Sequence, residues 1–302
     1  MGRAPKFDCR KGPSWPVRAD VPDLVNPADR AYAFHMPTAQ GERAGMQTPS
    51  TLKERYEQIK ARIADAAARS GRRADEIILV AVTKYAAIED IRALIELGQR
   101  DFGESRVQNL LQRTAQIEEF LNRRRELPRG DALPTPKDIR WHMIGHLQRN
   151  KARKVLELAR LVHSVDSLRL AEEIQQHANR QDEPIEVLVQ VNTSGEKSKY
   201  GIVPAATRHL VEQIETTMNI RVRGLMCMAP HFEDPQQARP SFERCRELFD
   251  DIRSAGVVND RFNILSMGMT NDFEVAIECG ANIVRVGSAI FGEQSEAESD
   301  EP

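Results

Sequence analysis

From residue 77 onwards the sequence repeats one unit, in which a short run with strand character is followed by a longer segment with helical spacing. The strand candidates are IILVAVT (77–83), RDFG (100–103), RWHMIG (140–145), LVHSVD (161–166), IEVLVQVN (185–192), RVRGLMCM (221–228), NILSMG (263–268) and IVRVG (283–287). Mostly apolar strands that alternate with helices indicate a parallel sheet covered on both faces. Eight such units predict an α/β fold of the (β/α)8 TIM-barrel class.

An open, doubly wound sheet is the alternative fold. Such sheets commonly carry a G-x-G-x-x-G motif after the first strand, where the backbone approaches a bound nucleotide. Here IILVAVT runs directly into Lys84 and no such motif follows. The barrel therefore fits the sequence better than the open sheet.

The chain divides into three parts by composition. Residues 1–48 are rich in proline and lack a sustained apolar period, which predicts an irregular N-terminal extension. The segment 51–71 has helical spacing and precedes the first strand, so it predicts an extra helix. We expect the barrel to occupy residues 49–293 and residues 294–302 to form an acidic tail.

Composition excludes several classes of protein. The chain has 29% charged residues and a formal net charge of -2, without the basic excess of a nucleic-acid-binding protein. No apolar run approaches the roughly 20 residues needed to cross a membrane, and no secretory signal begins the chain, so we expect a cytoplasmic protein.

The cysteines form no C-x-x-C pair, which disfavours a zinc site. His142 and His146 lack the glutamate of H-E-x-x-H, so we expect no metal there either.

Lys84 ends the first strand, and the functional site of a (β/α)8 barrel lies at the C-terminal ends of its strands. A partly desolvated lysine amine at this position can attack a carbonyl group and form a Schiff base. The alternative is a lysine whose side chain only reaches for water, and position alone does not separate the two interpretations.

Strands seven and eight end in LSMGMTND and IVRVGSAIFG, each with glycine beside small or hydroxyl residues. Barrels often bind phosphate at these two strand ends, so Ser266, Gly268, Gly287 and Ser288 are phosphate candidates. Arg285 lies two residues before Gly287 and points into the same mouth, unless a carboxylate on a neighbouring strand holds it in a salt bridge. A reactive lysine beside an anion site predicts a phosphorylated carbonyl compound as the ligand.

On these residues the chain resembles the pyridoxal 5′-phosphate (PLP) homeostasis proteins, the YggS/PROSC group. The matching segments are spread over residues 50–293 and are LVAVTK, FGESRVQN, WHMIGHLQRNK, VNTSGEKSKYGI, RGLMCM and LSMGMTNDFEVAIECGANIVRVGSAIFG. The resemblance implies a single barrel like the N-terminal domain of alanine racemase, with PLP held as a Schiff base on Lys84.

The resemblance also implies the other residues around the cofactor. The cofactor-binding set is Lys84, Ser105, Ser266, Met267, Gly268, Arg285, Gly287 and Ser288. In this set the residues that end strands seven and eight take the phosphate, and the arginine faces the pyridine nitrogen. The chain departs from the family pattern in three places: Ser105 replaces a common asparagine, Arg149 replaces a small polar residue, and Asn271 replaces a frequent aspartate.

The implied function is PLP binding in PLP homeostasis, without evident substrate turnover. PLP and PLP-requiring apo-enzymes are the implied partners, and we expect a monomer. A PLP-dependent amino-acid racemase is the alternative, but racemases of this fold use a tyrosine from a second domain. Only ten residues follow Gly292, with no tyrosine among them, so we expect a non-enzymatic protein. A Schiff-base aldolase acting on a phosphosugar would share the lysine and the phosphate site.

Overall fold

A computed structural model describes residues 51–126, 139–178, 184–196 and 199–292 of the chain. The strands are β1 (Ile78–Val82), β2 (Asp101–Glu104), β3 (Arg140–Met143), β4 (Ala159–Val165), β5 (Ile185–Val191), β6 (Ile220–Cys227), β7 (Ile264–Ser266) and β8 (Ile283–Val286). The helices are α1 (Leu52–Arg69), α2 (Ile88–Glu96), α3 (Val107–Glu126), α4 (Ala152–Leu156), α5 (Leu168–Ala178), α6 (Pro204–Glu215), α7 (Arg239–Ser254), α8 (Phe273–Glu278) and α9 (Ser288–Phe291). The predicted extension 1–48 and tail 294–302 lie outside the described residues.

The strands form a closed barrel in the order β1 to β8, and every neighbouring pair is parallel. Strand β8 closes the barrel on β1, where Ile78 pairs with Ile283 and Ala81 pairs with Val286. The predicted (β/α)8 fold is confirmed. Because parallel strands all point the same way, residues that end different strands meet at one mouth.

The apolar residues form two clusters, one outside the sheet and one inside it. The outer cluster lies between the strands and the surrounding helices. The inner cluster fills the middle of the barrel and consists of Val80, Leu161, Leu188, Met226, Ile264 and Ile283. Each of these side chains comes from a different strand, because alternate residues of a strand point inward. The middle of the barrel is therefore packed, so a ligand site formed by the ends of the strands lies at its mouth.

A buried ionic group lies near the start of the neighbouring strands β4, β5 and β6. The Glu186 carboxylate lies 2.6 Å from Arg160 Nη1 and 2.5 Å from Arg223 Nη1. The side chains of Glu186 and Arg223 are 6% and 3% exposed. The sheet has a register irregularity beside Val187, and Gly224 has φ +150° with no room for a side chain against the Ile264 carbonyl. This irregularity lets both Arg223 and Met226 point into the barrel.

Helix α1 is the extra helix predicted before the first strand. Thr51 and Glu54 form a capping box at its start, with each side chain accepting a hydrogen bond from the other residue's backbone N–H. Arg62 then forms an ion pair with Glu274 at 2.9 Å, which links helix α1 to helix α8. Among the described residues, no helix combines the length and apolar character required to cross a membrane.

Candidate functional site

Lys84 lies in the turn that follows β1, at the barrel mouth, and it is half-buried. Its Nζ atom is 4.3 Å from the centre of the Tyr85 ring. The turn is held from outside by Arg113, which donates a 2.9 Å hydrogen bond to the Ala86 carbonyl. The chain direction at Lys84 is thus fixed at the end of the first strand, where the sequence predicts it.

Glu104, at the end of β2, lies buried beside this turn. Its Oε1 accepts a hydrogen bond from Thr83 Oγ at 2.5 Å and lies 2.9 Å from Arg113 Nε. Burial raises the pKa of the Glu104 carboxyl, although the Thr83 hydroxyl and the Arg113 charge oppose the shift. Among the described residues, Oε2 has no hydrogen-bond partner. Sequence reasoning missed this acidic group, although the FGES motif places it directly before Ser105.

Ser105 and Gly287 follow the two strands that flank β1. Val82 pairs with Gly103 on one side, and Ala81 pairs with Val286 on the other. A side chain at Gly287 would begin 3.1 Å from the Val82 carbonyl oxygen, so the two backbones pass close together. Lys84 therefore emerges between the ends of β2 and β8, with half-buried Ser105 and Gly287 on either side.

Arg285 points from β8 into the barrel and is 3% exposed. Its Nη1 donates to Ser266 Oγ at 2.5 Å and its Nη2 donates to the Cys227 carbonyl at 2.9 Å. Burial lowers the pKa of this guanidinium. Within the described part of the chain no carboxylate lies within ion-pair distance of it, so the salt bridge considered from sequence is not found.

Ser266 ends β7, and Met267 and Gly268 begin the segment that leads from it to helix α8. The Ser266 hydroxyl is fully buried, and the Met267 N–H donates to the Ile283 carbonyl at 3.1 Å. Gly268 has φ +89°, a conformation that favours glycine. Its carbonyl accepts a hydrogen bond from the backbone N–H of Arg285. The phosphate role of these three residues stays a prediction, since the Ser266 hydroxyl and the Met267 N–H already have protein partners.

A different hydroxyl lies beside Ser288. Thr270 follows the turn at Gly268, and its Oγ accepts a 3.2 Å hydrogen bond from Ser288 Oγ at the start of α9. Both residues line a cleft of about 230 Å³ that also includes Asn271 and Asp272. Sequence reasoning missed Thr270, although the LSMGMTND motif contains it. The structure thus brings together hydroxyls from the segments that follow β7 and β8.

A line of buried polar side chains continues from Ser266 across the barrel. His163 Nδ1 lies 3.0 Å from Ser266 Oγ, and His163 Nε2 lies 2.9 Å from His142 Nδ1. His142 Nε2 in turn lies 3.0 Å from Asp101 Oδ1. Both histidines are fully buried. From the sequence, His142 is a candidate only for a metal site, and the described residues contain no cluster of three metal-binding side chains.

Burial shifts the pKa values of Asp101 and His163, which both lie along this line, in opposite directions. Burial raises the pKa of Asp101, but hydrogen bonds from Arg140 and His142 outweigh it and bring the value to about 2. For His163, burial lowers the pKa well below its ordinary value, and the nearby His142 and Arg285 act in the same direction. Asp101 is therefore a carboxylate and His163 a neutral imidazole at pH 7.

We expect the free energy of unfolding to decrease as the pH falls below about 6.5, because His163 takes up a proton only when the chain unfolds. Between its folded and unfolded pKa values, the slope from this one group approaches about 1.4 kcal/mol per pH unit. Urea unfolding at a series of pH values measures it. His163→Gln should lose this part of the slope, whereas His209→Gln, at a side chain 74% exposed, should keep it. An unchanged slope in His163→Gln would contradict the assignment.

Comparison with known proteins agrees with this geometry. A family model described as the alanine racemase N-terminal domain matches residues 54–295. A pyridoxal phosphate homeostasis protein of Aquifex aeolicus is 36% identical over 241 residues, covering 80% of this chain and 97% of that protein. One of Helicobacter pylori is 39% identical over 217 residues, covering 71% and 87%.

A solved structure is similar as well. PipY of Synechococcus elongatus PCC7942, solved with PLP bound, matches with a TM-score of 0.65 and 30% sequence identity. The match covers 80% of this chain and all of that one. The similarity therefore extends over most of the barrel.

Proposed function

The chain belongs to the pyridoxal phosphate homeostasis protein family, and we propose that it holds PLP in the mouth of its barrel and takes part in PLP homeostasis without turning over a substrate. The observation that carries the proposal is one lysine amine at a mouth that also contains a buried arginine and a pair of hydroxyls. These groups match the aldehyde, the ring nitrogen and the phosphate of PLP.

The residues of the mouth fit this cofactor by their chemistry. Lys84 Nζ is an amine that can bond to the PLP aldehyde carbon. Thr270 and Ser288 offer hydroxyls to phosphate oxygens, and Gly287 lies directly before Ser288. The Arg285 guanidinium has no carboxylate within ion-pair distance among the described residues, and the N–H groups not used by Ser266 and the Cys227 carbonyl can donate to an acceptor such as a ring nitrogen. Ser105 lies on the other side of Lys84 and completes the proposed set.

The chemistry of these residues also favours binding of PLP over catalysis with it. PLP, when bound, supplies an electron sink that works best with its ring nitrogen protonated. Arg285 can only donate hydrogen bonds, so a ring nitrogen that faces it must accept and stays unprotonated. Such an arrangement weakens the electron sink, which supports a carrier, although related racemases also have an arginine there.

Borohydride reduction of the protein with bound PLP tests the proposal. Reduction should fix the cofactor permanently on the peptide that contains Lys84, as measured by mass spectrometry after proteolysis. Pyridoxine 5′-phosphate has an alcohol in place of the aldehyde, so it should leave no added mass. Addition at another lysine, or none at all, would overturn the proposed site.

Turnover is tested separately, with the PLP-loaded protein and single amino-acid enantiomers in deuterated water. We expect no exchange of the α-hydrogen above that given by free PLP. Rapid deuteration with inversion would establish the racemase instead.

We further propose that PLP-requiring apo-enzymes receive the cofactor from this protein. The half-buried position of Lys84 and the exposed ring of Tyr85 support it, since the attachment point stays accessible at the mouth. Mixing the loaded protein with a PLP-requiring apo-enzyme should restore that enzyme's activity faster than the cofactor dissociates on its own. The monomeric state and the cytoplasmic location stay predictions from the sequence.

A further inference from the structure

The buried line from Arg285 to Asp101 has donors and acceptors fixed at both ends. A guanidinium can only donate hydrogen bonds, and a carboxylate can only accept them. Arg285 therefore donates to Ser266 Oγ at one end, and Asp101 accepts from His142 at the other. The carboxylate also accepts two hydrogen bonds from Arg140, at 2.7 and 2.6 Å, which holds it at the start of β2.

The two ends determine the tautomers of the histidines between them. His142 must carry a hydrogen on Nε2 for Asp101, so its Nδ1 is an acceptor and takes the Nε2 hydrogen of His163. The neutral His163 then has a bare Nδ1, which accepts from the Ser266 hydroxyl. Every hydrogen in the line points from Arg285 towards Asp101.

The opposite arrangement does not satisfy the same groups. If His142 were protonated, it would donate to His163, and His163 would donate to Ser266. The Ser266 hydroxyl would then receive hydrogen bonds from both Arg285 and His163, and its own hydrogen would have no acceptor among the described residues. An unsatisfied buried donor is costly, so the arrangement in which every hydrogen points towards Asp101 is favoured.

We propose that His163 is a positioning residue for Arg285, acting through the Ser266 hydroxyl to hold the guanidinium in one orientation at the barrel mouth. Because His163 accepts the Ser266 hydrogen, the Ser266 oxygen presents its lone pairs to Arg285 Nη1. Nη2 is held separately by the Cys227 carbonyl. Two of the three guanidinium nitrogens are thereby fixed, on strands β7 and β6. The inference rests on the proposed function for its consequence, a defined partner for the PLP ring nitrogen.

Variants at His163 test this role. His163→Leu should remove the acceptor and weaken PLP binding by about tenfold or more, with a shifted absorbance maximum of the bound cofactor. His163→Gln keeps one acceptor and one donor, so it should recover affinity to within about threefold of the wild type. His177→Leu, on helix α5, is the matched control and should change neither quantity. Equal effects of Leu and Gln at position 163 would overturn the proposal.

A double-variant cycle separates positioning from general loss of packing. If His163 acts through the Ser266 hydroxyl, His163→Leu should add little to the loss of affinity in Ser266→Ala. Fully additive losses would mean that His163 acts by another route, and the proposal would then fail.

Nitrogen-15 NMR of the cofactor-free protein tests the line without any ligand. His163 and His142 should each show a protonated Nε2 and a bare Nδ1 at pH 7. A protonated Nδ1 on either ring would overturn the proposal even if PLP binds at Lys84. Conversely, a protein that shows the expected tautomers and does not bind PLP would sink the proposed function and leave the hydrogen-bond line in place.

Discussion

Lys84→Ala is expected to abolish the absorbance band of protein-bound PLP and to weaken binding by about two orders of magnitude, or ~2.7 kcal/mol. Lys84 Nζ is the amine that the structure places in the turn after β1, between the ends of β2 and β8. Alanine removes that amine and leaves the hydroxyls and Arg285 in place. The remaining contacts should still bind PLP weakly, without its covalent bond. Absorbance titration with PLP measures both quantities.

Two variants serve as controls for Lys84. Lys199→Ala removes another lysine, whose Nζ donates to the Ala229 carbonyl and pairs with Glu196, and it should retain the band. Lys84→Arg retains a positive charge but has no nucleophilic amine, so it should lose the band and keep more affinity than alanine. If Lys84→Ala kept the band, the amine that holds PLP would have to be another one.

Glu186→Ala is expected to lower the free energy of unfolding by about 3–5 kcal/mol. The carboxylate is 6% exposed and lies between Arg160 and Arg223, so its removal leaves two guanidinium groups without their shared anion. Arg223 retains hydrogen bonds to the Arg261 carbonyl and to Asn263 Oδ1, which satisfy its other donors but carry no charge. Urea unfolding followed by circular dichroism measures the change.

The control for Glu186 is an ion pair on the surface. Glu212→Ala removes the partner of Arg208, whose side chain is 55% exposed, and should change stability by no more than about 0.5 kcal/mol. Glu186→Gln keeps the shape of the side chain and one acceptor oxygen. Its loss of stability should therefore lie between those of Glu186→Ala and Glu212→Ala. Equal losses in Glu186→Ala and Glu212→Ala would show that the buried group contributes no more than a surface pair.

The barrel could be predicted from the sequence because its strands carry a local signal. Most of the runs are short, apolar and rich in β-branched residues, and helical spacing long enough for a crossover lies between successive runs. The observed strands start and end within a few residues of the predicted ones, as in β5, predicted at 185–192 and found at Ile185–Val191. The position of Lys84 could be predicted for the same reason, because its amine is the first reactive side chain at the end of the first strand.

The hydrogen-bond line could not be predicted in this way, because it depends on contacts between distant parts of the chain. His163 and Ser266 are 103 residues apart, and His142 and Asp101 are 41 apart. In sequence, each lies inside a run that otherwise has strand character, and the residues pair only when the closed barrel turns them inward together.

Ser266 and Thr270 show how a backbone turn directs two hydroxyls of one motif to different partners. Both belong to LSMGMTND, and the sequence favours Ser266 because it ends the strand. As an inward-pointing strand residue, Ser266 accepts a hydrogen bond from Arg285. The positive φ of Gly268 then redirects the chain, and Thr270 reaches Ser288. A one-dimensional motif does not specify that change of direction.

The pairing of β8 with β1 has a consequence for how the protein is made. Lys84 follows the first strand to leave the ribosome, whereas Gly287 and Ser288 follow the last one. A nascent chain therefore has the proposed attachment amine long before it has the partner strand that completes the mouth. PLP can bind at its full strength only after translation has passed β8, so cofactor capture would mark chains whose barrel has closed. Ligand binding then favours the closed barrel over partly folded chains, because it stabilises only the state that contains the whole site.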